Sequence, residues 1–289
     1  MMLRAYLWLY LAFLYAPIVI IALFSFHSAP SLVFPFEGFS LRWYEQIFTN
    51  PTFTTSLWNS IIVATAASIG TTVLGATVAL AMIRMKGRAK AAIAAICSVP
   101  IGLPGLFLGI SLIIWFAQVG IGRSLVSVTI AHILYALPFF VATMRSRIEY
   151  FDQSLEEAAR DLGATTWQSF RLVTLPILRP SILGASVLVF ALSFDELIIT
   201  VFVSGNDTTL PMMVWSMMRR TVDPTINAAS MVAFALSLVV IMLGGLIYWL
   251  QRRAAIKSRK SISRVEEDEQ VHRGTEQRSE NVRPVHGFE

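Results

Sequence analysis

Little of this sequence is charged. Asp, Glu, Lys and Arg make up 14% of its 289 residues, against about 25% in an ordinary soluble domain. Hydrophobic residues make up 55%. That balance excludes a disordered chain and a coiled coil, and argues against a soluble globular enzyme. Cysteine occurs once, as Cys97 within an apolar run. No disulfide framework is available, and Cys97 reads as a small buried hydrophobe. The histidines His27, His132, His272 and His286 are too scattered for a metal set, and none is expected. The chain has no G-x-x-x-x-G-K-[ST] loop to cradle a nucleotide's phosphates. It also lacks H-E-x-x-H and any persuasive Ser–His pairing, so an intramembrane hydrolase finds no support.

Long apolar runs are what the sequence has. Crossing a bilayer takes about 20 residues, and six stretches qualify, near 7–26, 57–83, 91–118, 125–144, 181–203 and 228–250. The second and third are long and rich in Gly or Pro, which predicts tilt or kinks. Basic residues fix the orientation. With a cytoplasmic N-terminus, every inside segment carries them: Arg4, then Arg84 to Lys90, Arg145 to Arg179, and Arg252 to Lys260. The outside segments hold only Arg42, Arg123, Arg219 and Arg220. This bias predicts that both termini are cytoplasmic. It also makes the positive charge a matter of topology, so no nucleic-acid partner is expected. The first span has only Arg4 before it and no A-x-A site after it, so it reads as a retained helix. The chain thus divides into 1–56 (first span and outside segment), a five-helix core 57–250, and a polar tail 251–289 expected to be disordered. Within the outside segment, Leu41 to Phe48 reads as a short interfacial helix with its rings at headgroup level.

The cytoplasmic loop 145–180 has its own helical grammar. Ser154 and Glu157 have capping-box spacing. Leu155, Ala158, Ala159 and Leu162 fall on one helical stripe, opposite Glu157, Arg160 and Asp161. Gly163 suits the left-handed turn that ends a helix. Thr165 and Gln168 repeat the capping-box spacing, and a second short helix is expected from there toward Leu175. Pro176 and Pro180 are expected to break the chain before the fifth span. The loop reads as a helix-turn-helix against the membrane that offers a ridge to a cytoplasmic partner.

Glu157-Ala158-Ala159, three residues, Gly163, nine residues, Val173, one residue and Leu175-Pro176 resemble the EAA signature of permease subunits of binding-protein-dependent ABC importers. A chance match of the six strongest positions is on the order of 10⁻⁴ from average residue usage. The resemblance implies an all-α membrane protein of six transmembrane helices with the type I, MetI-like permease fold. It implies a coupling helix, with Glu157, Ala158, Ala159, Arg160, Asp161, Gly163, Ala164, Leu175 and Pro176 at or beside the ATPase contact. It implies no catalysis and no cofactor in this chain, with ATP and Mg bound by a partner ATPase present in two copies. The further partners implied are a second, homologous permease, a periplasmic or tethered substrate-binding protein and the lipid bilayer, all at a bacterial inner membrane.

The third span contains Val99-Pro100-Ile101-Gly102-Leu103-Pro104-Gly105. Its prolines remove backbone donors, and such spans are tolerated where they are buried in protein or line a cavity. Pro100 and Pro104 are therefore read as part of a flexing, pathway-lining helix, or as a static packing kink. The fifth span holds Asp195 and Glu196, and an acid inside a membrane is a functional hypothesis by default. Counted along a continuous helix from Pro180, Asp195 falls in the outer third. The two acids either attract a cationic substrate or serve helix contacts. His132 reads as packing or relay, and the methionines 212, 213, 217 and 218 as packing. Phe194 to Gly205, Thr209-Leu210-Pro211 and Asp223 to Ala228 resemble the spermidine/putrescine permease subfamily. That resemblance implies a polyamine or a related amino compound as substrate. The alternative is a secondary transporter driven by an ion gradient, which dependence on ATP would distinguish.

Overall fold

The computed structural model describes residues 2–30, 35–220, 223–250 and 253. The expectations for the tail 251–289 lie outside these residues, Arg253 apart. The chain divides into two compact units, Met1–Gly244 and Gly245–Glu289, and the packing below is that of the first.

Among the described residues the regular elements are helices, apart from one isolated bridge between His27 and Phe39. The helices are α1 (Met2–Ser25), α2 (Arg42–Thr49), α3 (Pro51–Arg84), α4 (Gly87–Ser98), α5 (Gly105–Gln118), α6 (Leu125–Glu149), α7 (Ser154–Asp161), α8 (Thr166–Ser169), α9 (Leu175–Phe194), α10 (Ile198–Val203) and α11 (Leu210–Arg220), and last α12 (Pro224–Leu250). Among the described residues, five helices are long and apolar enough to cross a membrane, or six if the bent pair α4–α5 is one span. A short helix forms where one was expected, near 41–48, as α2. Trp43 Nε1 of α2 donates to the His27 carbonyl at 2.6 Å, and Tyr44 meets the Ser25 hydroxyl at 2.8 Å. These bonds hold the outside segment on the last turn of α1, where that helix buries Phe24 and Ser25.

α3 organises the bundle and packs chiefly on α6 and α9. Asn50 starts it by accepting from the Thr52 N–H at 2.9 Å, and Pro51 follows at the first position, where its missing N–H costs nothing. Its buried positions are mostly small: Ser56, Ser60, Ala64, Ala67, Ser68, Thr71, Gly75 and Ala79. Their spacing of three or four residues makes one stripe, and small residues let helices approach closely in lipid. Hydroxyls then bond across the gap. Ser68 donates to the Ser186 carbonyl at 2.8 Å, and the Thr72 and Ser186 hydroxyls meet at 2.7 Å.

Two spans depart from expectation. The third is broken outright, not merely kinked. α4 runs into a 3-10 turn over Val99–Gly102, and α5 then leaves at 104° to it. Leu103 is extended, as the residue before a proline tends to be, and Pro104 has no N–H to carry the helix on. The fifth span, expected over 181–203, stops at Phe194 and resumes as the short α10. Asp195 therefore follows a helix end and does not sit within a continuous helix. The two broken segments pack together. A Cβ on Gly109 of α5 would come within 2.6 Å of the Phe202 ring of α10.

Two glycines of α3 give a contrasting test. A Cβ on Gly75 would collide with the fully buried Phe140 ring, whereas one on Gly70 would meet the half-buried, rotatable side chain of Ile133, first at its terminal methyl and then at Cγ1, 3.1 Å away. Overpacking a rigid site costs about 1–3 kcal/mol, more than the roughly 1 kcal/mol that alanine gains over glycine in a helix. Gly75→Ala should therefore lower the thermal stability of the detergent-solubilised protein, and Gly70→Ala should leave it unchanged or raise it. Equal melting shifts would overturn this packing account.

Candidate functional site

Chemistry-bearing residues gather in two places, the loop after α6 and the break after α9. In the loop, α7 ends as Gly163 predicts. Gly163 has φ +86°, its N–H donates to the Arg160 carbonyl at 2.9 Å, and the Ala164 N–H donates to the Ala159 carbonyl at 3.0 Å. That pair of bonds is a Schellman motif. The Thr165–Gln168 capping box forms in both directions, at 3.2 and 2.8 Å. The box at Ser154 and Glu157 does not form. Asp152 instead accepts the Ser154 N–H at 2.9 Å. The Ser154 hydroxyl and N–H hold the Asp152 carboxyl below the ordinary carboxylate range, so it is ionised at neutral pH at the start of α7.

Pro176 and Pro180 do not break the chain either. α8 continues through a π-helical turn, Phe170–Thr174, straight into α9. A proline ring collides with the carbonyl four residues back. The wider turn just before Pro176 lets the helix carry on.

Glu156 is the anchor of the loop, and the sequence reading passed over it in favour of its neighbour Glu157. Its side chain is only 12% exposed. It accepts from the Thr174 hydroxyl of the π turn, and its carboxylate lies 3.7 Å from Arg84 at the end of α3. Arg84 is 62% exposed, so solvent screens the ion pair and the Thr174 bond is the stronger tie. Gln153 donates to the Ile83 carbonyl at 2.5 Å. With Glu156 turned inward, Glu157, Ala158, Arg160 and Asp161 are exposed. So is the apolar ridge expected on this helix: Leu155 is 45% and Leu162 90% exposed, with Trp167 beside them at 66%.

At the break, the two acids do different things. Glu196 is half-buried, and its carboxylate accepts the Ile199 N–H at 2.9 Å, capping the start of α10. Asp195 is exposed and lines a cavity of about 390 Å³ with Leu210, Trp215, Met218 and Phe234. Neither ion pair among the described residues involves Asp195. His132 is fully buried and touches both sides of the break. Its Nδ1 lies 2.8 Å from the Ser193 hydroxyl and its Nε2 lies 2.9 Å from the Thr200 hydroxyl. This Ser–His contact was not visible in the sequence, and both residues are sealed from solvent.

Residues 71–256 match the family described as binding-protein-dependent transport system inner membrane component. The chain belongs to this family. It is 32% identical over 245 residues to the spermidine/putrescine transport system permease protein PotC of Haemophilus influenzae, covering 84% of this chain and 95% of that one. It is 34% identical over 256 residues to the putrescine transport system permease protein PotI of Escherichia coli, covering 86% and 89%. Among solved structures, a bacterial ABC transporter that imports the acidic polysaccharide alginate superposes with a TM-score of 0.67 at 16% identity, covering 83% of this chain and 92% of that one. The MetNI methionine ABC transporter in inward-facing conformations superposes at 0.61 and 17% identity, covering 73% and 99%. These two likenesses show the fold. The chain is thus an inner-membrane permease subunit of an ABC importer. It is not itself catalytic, and ATP is bound by a partner ATPase.

In this permease, the nine loop residues singled out from the sequence fall into two groups. Glu157 to Ala164 lie on α7 and the turn after it, while Leu175 and Pro176 open α9. Pro100 lies in the 3-10 turn, which packs on α4 and α6, and Pro104 precedes α5, which packs on α10. If Glu156 anchors the loop, Glu156→Ala should speed amide hydrogen exchange across 154–169 by about tenfold, as expected for the loss of a buried hydrogen-bonded carboxylate. Glu157→Ala should change it less than about twofold. Equal effects of the two substitutions would remove Glu156 from this role.

Proposed function

We propose that this permease forms half of the pathway of a polyamine importer, or of an importer of a related amino compound. It pairs with a second, homologous permease and with two copies of the ATPase, and it receives substrate from a periplasmic or tethered binding protein. The observation that carries the coupling part is the outward face of α7. Glu157, Ala158, Arg160 and Asp161 are exposed beside the bare side chain of Leu162, while Glu156 ties the helix to α3 and the π turn. An exposed apolar side chain rimmed by charge suits a protein partner. In this reading Glu157 to Ala164 dock on the ATPase, and Leu175 and Pro176 begin the helix that carries the motion inward. Both termini are cytoplasmic, as the basic loops require. The core 57–250 is the transport unit.

The substrate part rests on the polyamine permeases among the relatives and on Asp195. A carboxylate on a cavity walled by Trp215 and Phe234 suits an organic cation with a methylene chain, since the carboxylate attracts the cation and the apolar wall takes the chain. Glu196, Pro100 and Pro104 shape the broken helices around it. The purified complex in proteoliposomes tests both parts. Putrescine uptake should require ATP, and uptake driven by an ion gradient alone would favour a secondary transporter instead. Glu157→Lys, or a bulky residue at Gly163, should abolish uptake while leaving membrane insertion intact. At Gly163 no atom lies within 4 Å of an added Cβ, so the cost there is the left-handed backbone, about 1–2 kcal/mol. Asp195→Asn should lower kcat/KM for putrescine about tenfold. Wild-type uptake at equal expression would sink the corresponding assignment.

A further inference from the structure

A helix that stops inside a membrane leaves carbonyls and N–H groups to be satisfied by something else. Here no glycine or proline marks the stop at Phe194-Asp195-Glu196. Side chains hold it. The Thr200 hydroxyl donates to the Glu196 carbonyl at 2.7 Å. A hydroxyl has one proton, so Thr200 can only accept from His132, and Nε2 must carry the hydrogen. Nδ1 of a neutral ring is then bare and accepts from the Ser193 hydroxyl. The network runs in one direction: Ser193 Oγ–H to Nδ1, Nε2–H to Thr200 Oγ1, and Thr200 Oγ1–H to the Glu196 carbonyl. It joins the last turn of α9, through α6, to the first turn of α10. The far end of α10 is fixed to the same helix. The Val203 carbonyl accepts from the Ser127 hydroxyl at 2.8 Å and from the Ser124 N–H at 3.2 Å, and the Leu125 N–H donates to Asp207 at 3.1 Å.

We propose that His132 is the positioning residue of the interrupted fifth span. It sits in one neutral tautomer, with the proton on Nε2, and bonds both banks of the break. It thereby fixes where Asp195 meets its cavity and where Glu196 caps α10. The ring touches neither acid and acts through Ser193 and Thr200. Its effect on transport rests on the pathway reading of Asp195, but the pin itself does not.

The assembled transporter in proteoliposomes provides the test. Nitrogen NMR of histidine-labelled complex, with His132→Gln as the subtraction, should show a neutral ring protonated at Nε2. A ring protonated at Nδ1, or at both nitrogens, would overturn the network. In His132→Leu, which keeps bulk and removes both bonds, amide exchange at 196–200 should rise about tenfold, in line with breaking buried hydrogen bonds. Unchanged exchange would overturn the pin. For ATP-driven putrescine uptake, Thr200→Val and His132→Leu should each cost about tenfold, and the double variant no more than about twofold beyond the worse single one. Fully additive losses would show two independent effects and no relay. His132→Gln, which can still donate to Thr200, should recover part of the loss, and recovery no better than in His132→Leu would reduce the role to packing. Should His132→Leu fail to assemble, Ser193→Ala and Thr200→Val carry the same cycle. Faster exchange with unaltered uptake would keep the pin and refute the pathway reading.

Discussion

Hydrocarbon offers no hydrogen bonds, and this single constraint accounts for most of what is unusual in the permease. Any span that is interrupted must find local partners for its backbone. The two breaks in this chain do so differently. At 102–104 the chain uses prolines, which remove donors instead of pairing them, together with a short 3-10 turn. At 195–197 it recruits an acid, a threonine and a histidine from another helix. The breaks are neighbours, and α5 and α10 pack through Gly109 and Phe202. One pair of broken helices is therefore held against an otherwise continuous scaffold of α3, α6 and α9, whose close approach depends on the small-residue stripe of α3.

The loop after α6 shows the same division between fixed and free. Glu156 and Gln153 are committed inward, to Thr174 and to the end of α3. Glu157 and Ala158, next in the chain, are exposed. Two consecutive glutamates on one helix point about 100° apart, so one can anchor while the other faces outward. That arrangement anchors a helix of only eight residues, which has too few turns to be stable alone.

What was legible in the sequence was local. The spans, α2, the turn at Gly163 and the Thr165–Gln168 box rest on contacts within a few residues, and hydropathy, caps and glycine report such contacts directly. The misreadings involve a competing partner, near or distant, or an unusual helix. Ser154 lost its box because Asp152 takes its N–H while the adjacent Gln153 bonds the Ile83 carbonyl, 70 positions away. Pro176 failed as a breaker because a π turn precedes it. The break at Asp195 carries no proline or glycine, and its partner lies on α6. The only trace of it in the sequence was the presence of two acids where a continuous helix should have none.

The π turn has a mechanical consequence. Because it carries the chain past Pro176, residues Thr166–Phe194 form one helical span of 29 residues, about 43 Å long at 1.5 Å per residue. One end begins at the loop after α6, and the other stops at the acid beside the cavity. Such a rod is a lever. Pivoted at its base, a tilt of about 5° would sweep its tip by about 4 Å. Had the prolines broken the chain there, the same tilt would have been absorbed in a joint before reaching Asp195.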